Sequence, residues 1–361
     1  MPCLFVDISS HGFGHLAQVG PVLDALAPLV PDLRLVVRSG LSRGKLASRI
    51  AAPFEHVAAA SDVAFPMHDA VRVDLDASAA AYREVHRDWA AKVEAETGFL
   101  LSLAPDLVFS DVSCLPLAGA VAAGIPAVAM SSLNWADQFA FLFGGQDWAR
   151  EIHAQMLSAY ASAHTFLRCT PAMPMADLPN TLSIPPVARL GCAQRARLEA
   201  RLGCRGERLV LVAMGGLGMA LPVAHWPRMA GLRWLVPADA GVERDDVTAY
   251  DDVGLHFSDL LASVDALVGK PGYGTFVEAA ACGTPLLYLR RDHWPEQDVL
   301  VAWLRANGTC EEVLQHDFAS GLFCSQIDNL LSQPRRRALA NGASTAAQYL
   351  ATIISARRIC R

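Results

Sequence analysis

The chain has 361 residues, 53% of them hydrophobic and 18% charged, with a formal net charge of −6. This much apolar content excludes wholesale disorder, and the absence of a long basic block argues against nucleic-acid binding. The length fits about two domains.

Lysine occurs only at Lys45, Lys92 and Lys270; the other basic residues are arginines. The N-terminus reaches Asp7 without a basic lead, unlike a secretory signal. No apolar run is unbroken enough for a spanning helix, which leaves only peripheral membrane contact open. Cysteines scattered without a Cys-x-x-Cys pair read as reduced thiols of a cytoplasmic protein.

In chain order, residues 4–8 read as a strand. The glycine turn His11-Gly12-Phe13-Gly14 follows, then a helix over 15–27 stopped by Pro28. Strands are expected at 33–37 and 107–109, with Asp111 just beyond the second. A long, charged helix spans 78–103. A helix at 117–123 leads into a strand at 127–130. Pro171, Pro174, Pro179, Pro185 and Pro186 remove donors and fix φ, so this stretch reads as a connector outside any sheet. The pattern then restarts with a strand at 209–213 ending in Gly215-Gly216. Further strands follow at 232–236, 267–268 and 286–289. Alternating strands and helices predict an α/β protein of two doubly wound, Rossmann-like domains. We divide it into 1–170, a proline-rich linker 171–191, a second domain 192–345, and a C-terminal helix 346–361 returning to the first domain.

Two glycine turns carry the chemistry. Gly12-x-Gly14-x-x-Ala17 fits a loose dinucleotide fingerprint, with Arg38 suited to a 2′-phosphate; that keeps an NADP-linked oxidoreductase in contention. It leaves His11 and His15 unexplained. In the second turn, Gly272 and Gly274 open a helix whose free N–H groups and dipole suit a diphosphate. Glu278 lies one turn in, where a carboxylate can accept from a ribose diol. Its bland alternative is a capping box, Thr275-x-x-Glu278. The segment 290–297, with Asp292, Glu296 and Gln297, is dense in groups that bind sugar hydroxyls.

From residue 265 to Gln297 the sequence resembles the donor-binding motif of two-domain (GT-B) nucleotide-sugar glycosyltransferases. It is similar to two branches, the UDP-glycosyltransferases and the lipid-linked N-acetylglucosaminyltransferases. Gly12-Phe13-Gly14-His15, Asn134-Trp135, Gly272-Tyr273-Gly274-Thr275 and Arg290-Arg291-Asp292 also resemble the glycosyltransferase-like half of plant L-arabinokinases. The resemblance implies a cleft between the domains, with His15 as general base and Asp111 orienting it. It implies that Gly14, Gly215, Gly216, Lys270, Gly272, Tyr273, Gly274, Thr275 and Glu278 bind the donor nucleotide. The segment 255–257, with Phe257, would supply the aromatic contact to the nucleobase. Asp292, Glu296 and Gln297 would bind the donor sugar, and His11, Asn134 and Trp135 the acceptor. The donor would be a nucleoside-diphosphate sugar, with UDP favoured, and transfer would invert the anomeric carbon. The implied chemistry needs no metal or other cofactor, and Asp74-Leu75-Asp76 reads as a solvated loop. Arg290-Arg291 departs from the small residues usual at that place. A nucleotide-sugar hydrolase or epimerase, and a non-catalytic sugar-nucleotide sensor, remain alternatives on the same fold. His68, His86 and His293 are expected at the surface.

Overall fold

The computed structural model describes residues 1–215, 220–291 and 293–359. Strand β1 (Cys3–Ile8) is buried at every position, as suits an uninterrupted apolar run in a sheet covered on both faces. It belongs to one parallel sheet with β2 (Arg34–Arg38), β3 (Glu55–Val57), β4 (Leu107–Asp111), β5 (Ala127–Ser131), β6 (Thr165–Cys169) and β7 (Thr181–Ile184), in the order β3-β2-β1-β4-β5-β6-β7. A second sheet contains β8 (Arg208–Ala213), β9 (Leu232–Val236), β10 (Val247–Ala249), β11 (Ala266–Gly269), β12 (Leu286–Leu289) and β13 (Cys310–Val313). Its order is β10-β9-β8-β11-β12-β13. All pairings inside both sheets are parallel.

Each sheet reverses its winding between its first and fourth strands, β1/β4 and β8/β11. Ligands of doubly wound sheets bind at such points, beyond the strands' carboxyl ends. One apolar cluster runs between the halves: Leu16 and Val19 of the helix Gly14–Leu26, Phe276 and Val277 of the helix Tyr273–Cys282, and Leu350 of the helix Gly342–Ile359. Where these helices meet, a Cβ on Gly274 would lie 2.7 Å from the Ala17 Cβ. The helix Gly342–Ile359 lies along Gly14–Leu26. The Tyr349 hydroxyl meets Thr165 Oγ1 at 2.5 Å, and Arg357 donates to the Gly124 carbonyl at 3.1 Å.

The proline-rich stretch does contribute to a sheet. Pro179 and Pro185 flank β7 rather than interrupt it, so Thr181–Ile184 keep their N–H groups and pair with β6 as an edge strand. The expected helix over 78–103 is two, Leu75–His86 and Trp89–Leu103. Asp74 is not in a free loop: it caps the first of them, accepting from the Ala77 N–H at 2.9 Å. His86 is buried, its ring stacked 4.7 Å from that of Trp89.

Candidate functional site

At the first switch point the chain leaves β1 and turns at Gly12, whose φ of +73° favours glycine. His15 sits at the start of the helix that follows, 5% exposed. Its Nδ1 lies 3.2 Å from Oδ1 of Asp111, the last residue of β4. An ionised carboxylate only accepts, so Nδ1–H donates and Nε2 keeps its lone pair for a substrate proton. Burial alone would lower the His15 pKa. The charge and hydrogen bond of Asp111, helped by Asp62 and Glu296, outweigh it and hold the imidazole above its ordinary value. His11 stacks on Trp294 with ring centroids 5.4 Å apart and meets Trp135 edge-on at 5.6 Å. Burial, followed by the neighbouring His15, Arg291 and Lys270, pushes its pKa far down, so it is neutral.

At the second switch point Gly215 follows β8 with φ +84°. Lys270 follows β11, and its Nζ would lie 3.7 Å from a Cβ on Gly215. Gly272 is the cap residue of the helix Tyr273–Cys282 and offers no side chain to its first N–H groups. Those donors remain for an anion. Thr275 lies inside the first turn, so the capping box does not form. Lys270 makes no ion pair among the described residues. Burial and then Arg291 press its ammonium well below the usual lysine range.

Glu278 is 1% exposed and takes a forked grip from Arg49 of the other domain, at 2.6 and 3.3 Å. The Arg49 guanidinium also lies 5.7 Å from the centre of the Phe257 ring. Glu296, 4% exposed, accepts from Ser132 Oγ at 2.6 Å and from Trp294 Nε1 at 3.1 Å. Gln18 donates in turn to Ser132 Oγ at 3.1 Å. A polar chain thus joins the two domains.

These elements enclose one cleft of about 350 Å³. Of the residues singled out from sequence, His11, Gly14, His15, Gly215, Phe257, Lys270, Gly272, Tyr273, Gly274, Thr275, Glu278 and Glu296 line it. Asp111 stands behind His15. Gly216 and Asp292 lie outside the described residues. Gln297 is placed differently from the sugar-binding role expected of it: both ends of its amide bond the Arg291 backbone, each at 2.9 Å, which fixes that loop. Asn134 caps the helix Trp135–Phe143 by accepting from the Asp137 N–H at 2.7 Å, and neither it nor Trp135 lines the cleft. The Trp135 indole donates to Asp62 at 2.8 Å and forms a wall 5.3 Å from the His15 ring. Tyr273 reaches the cleft, but its hydroxyl ties the connector, donating to the Thr170 carbonyl at 3.0 Å and accepting from the Val187 N–H at 2.8 Å. Arg38, the residue suited to a 2′-phosphate, is buried against Asp7 at 2.5 Å and forked onto Glu96 at 2.7 Å. The dinucleotide reading loses its phosphate ligand.

Sequence reading missed Gln18, Arg49 and Ser132 on the cleft wall. Arg291, which also lines it, lies in the segment 290–297 marked for sugar hydroxyls but was not itself named as a ligand.

No family model matches the chain. It is 26% identical over 349 residues to the L-arabinokinase of Arabidopsis thaliana, covering 95% of this chain but 33% of that protein. The chain therefore spans about a third of the length of the curated relative it matches. Among solved structures, the kitacinnamycin glycosyltransferase superposes with a TM-score of 0.62 at 14% identity, over 99% of this chain and 96% of that one. LpCGTa in complex with UDP gives 0.61 at 16% identity, over 98% and 94%. A UDP-N-acetylglucosamine 2-epimerase gives 0.56 at 12% identity, over 99% and 98%. The chain has the two-domain GT-B fold.

Proposed function

We propose that this protein is a glycosyltransferase that moves a sugar from a nucleoside-diphosphate sugar, with a UDP-sugar favoured, to an acceptor hydroxyl. One observation carries the reading. The His15–Asp111 pair and a half-buried Lys270, without an ion-pair partner among the described residues and beside a helix start with no side-chain cap, face the same cleft from opposite domains. Base and anion site are what such a transfer requires on its two sides.

In this reaction His15 Nε2 takes the acceptor's hydroxyl proton while Asp111 holds the ring and stabilises the imidazolium. The acceptor oxygen bonds to the anomeric carbon as the bond from that carbon to the phosphate oxygen breaks. The electron pair leaves on the nucleoside diphosphate, where Lys270 and the N–H groups at Tyr273–Thr275 receive the new charge. A single displacement inverts the anomeric centre. Glu278 and Phe257 would meet the nucleoside, and Glu296 the sugar. The charge on the leaving group is met by side chains and helix starts, so turnover is expected to persist in chelator. The reading is tested by following nucleoside-diphosphate release from UDP-sugars with a panel of hydroxyl acceptors. His15→Ala should lower the rate by about 10²–10⁴-fold. An unchanged rate would refute the assignment.

A second reading draws on the acceptor side, where Asn134 and Trp135 are engaged in capping and packing rather than in lining the cleft. A hydrolase or epimerase acts on the nucleotide sugar without a separate acceptor pocket. Nucleotide release or sugar isomerisation from donor alone, as fast as with any acceptor, would favour it.

A further inference from the structure

Arg291 is 6% exposed, lines the cleft, and leaves Nε and Nη2 without a partner among the described residues. Its place is fixed. The Gln297 amide grips its backbone on both sides, and the guanidinium lies 3.7 Å from the centre of the Trp294 ring. Glu296 is its acidic neighbour and favours its charge but makes no hydrogen bond to it; the Glu296 oxygens accept from Ser132 and Trp294. A buried guanidinium with two N–H groups left without hydrogen-bond partners is costly, and its planar fork matches a carboxylate.

We propose that the transferred sugar carries a carboxylate, as a uronic acid does, and that Arg291 receives it. This rests on the nucleotide-sugar reading above. The two phosphate charges of a donor already have their counterparts: Lys270, and the two helix starts on the cleft, each worth about half a positive charge. Arg291 is a further cation. It shares the Trp294 indole with His11, and that indole bonds Glu296, so it belongs with the groups nearest His15, where the anomeric carbon must sit. The buried His11 Nε2, also without a hydrogen-bond partner among the described residues, supplies a second polar contact beside it. A neutral sugar would leave the guanidinium unpaired.

The test is calorimetric titration of wild-type protein, Arg291→Gln and Arg291→Lys with UDP, UDP-glucose and UDP-glucuronate. Glucose 1-phosphate and glucuronate 1-phosphate serve as a pair independent of the base, and melting curves verify that each variant is folded. The uronates should bind at least about tenfold more tightly than their neutral counterparts. Arg291→Gln should erase that gap while leaving UDP within about twofold, and Arg291→Lys should keep part of it. Neutral sugars binding as well as uronates would overturn the proposal. So would Arg291→Gln weakening UDP as much as UDP-glucuronate, because the arginine would then serve the diphosphate. Failure of UDP and both sugar phosphates to bind would bring down the nucleotide-sugar reading and this inference with it.

Discussion

Arg49 and Glu278, 229 residues apart in sequence, close a forked ion pair across the cleft, with Nη1 2.6 Å from Oε1. The carboxylate proposed to meet the donor's ribose is held by the opposite domain. Both side chains are largely buried, 11% and 2% exposed. Removing one partner strands the other, which typically costs about 3–5 kcal/mol. Glu278→Ala should therefore lower the melting temperature and also raise the donor KM. In the double variant Arg49→Ala/Glu278→Ala the melting temperature should recover in part while KM stays high. A double variant with wild-type KM would show that Glu278 only pairs with Arg49.

In the proposed reaction His15 serves as a base only when its proton is off. Asp111 raises its pKa above the ordinary 6.5, so kcat/KM should climb with pH through a value above 6.5. Asp111→Asn removes the charge responsible and should move that inflection to lower pH while reducing the maximal rate. The linked stability has the opposite sign. A raised folded-state pKa gives a contribution fully present below 6.5 and lost as pH rises through the raised value. A pH–rate profile for both proteins checks the first claim, and melting temperatures across the same range check the second.

Gly274 packs directly against Ala17 of the other half. A methyl group there would meet the Ala17 Cβ at 2.7 Å, so Gly274→Ala must push the two helix starts apart. Turnover and melting temperature should both fall, by about 1–3 kcal/mol in stability. Ala17→Gly in the same chain should restore both. Absence of rescue would mean that Gly274 matters for its backbone alone.

Tyr273→Phe removes a hydroxyl that joins the Thr170 carbonyl to the Val187 N–H. The two connector groups would be left unpaired at a cost of about 1–3 kcal/mol. Nucleotide affinity should change little, which would separate Tyr273 from the ligand-binding residues near it. A large loss of affinity with unchanged melting would place the hydroxyl on the donor instead.

The parts legible in the sequence are the local ones. Strands such as Leu4–Ile8 and the turns at Gly12 and Gly272 are written in consecutive residues, and their switch points follow from the parallel winding. Partnerships made across the cleft were not legible. Nothing near Arg49 marks it as the ion-pair partner of Glu278, and nothing near Ser132 marks it as a ligand of Glu296. Where one residue had two uses, pattern could not choose: Gln297 follows Glu296 as a sugar ligand would, yet it bonds the Arg291 backbone. Asn134 beside Trp135 looked like a recognition pair and is a helix cap. Prolines misled at β7 because their positions flank the strand, and composition does not record position.

The central claim is an anion site at Lys270 facing a base at His15, and calorimetric titration with UDP, dTDP and GDP measures it most directly. One of the three should bind wild-type protein with a submillimolar Kd. Lys270→Ala should weaken it by at least about tenfold, or ~1.4 kcal/mol, while His15→Ala leaves it within a few-fold. Absence of binding by all three at millimolar concentration, or equal binding to wild type and Lys270→Ala, would contradict the account.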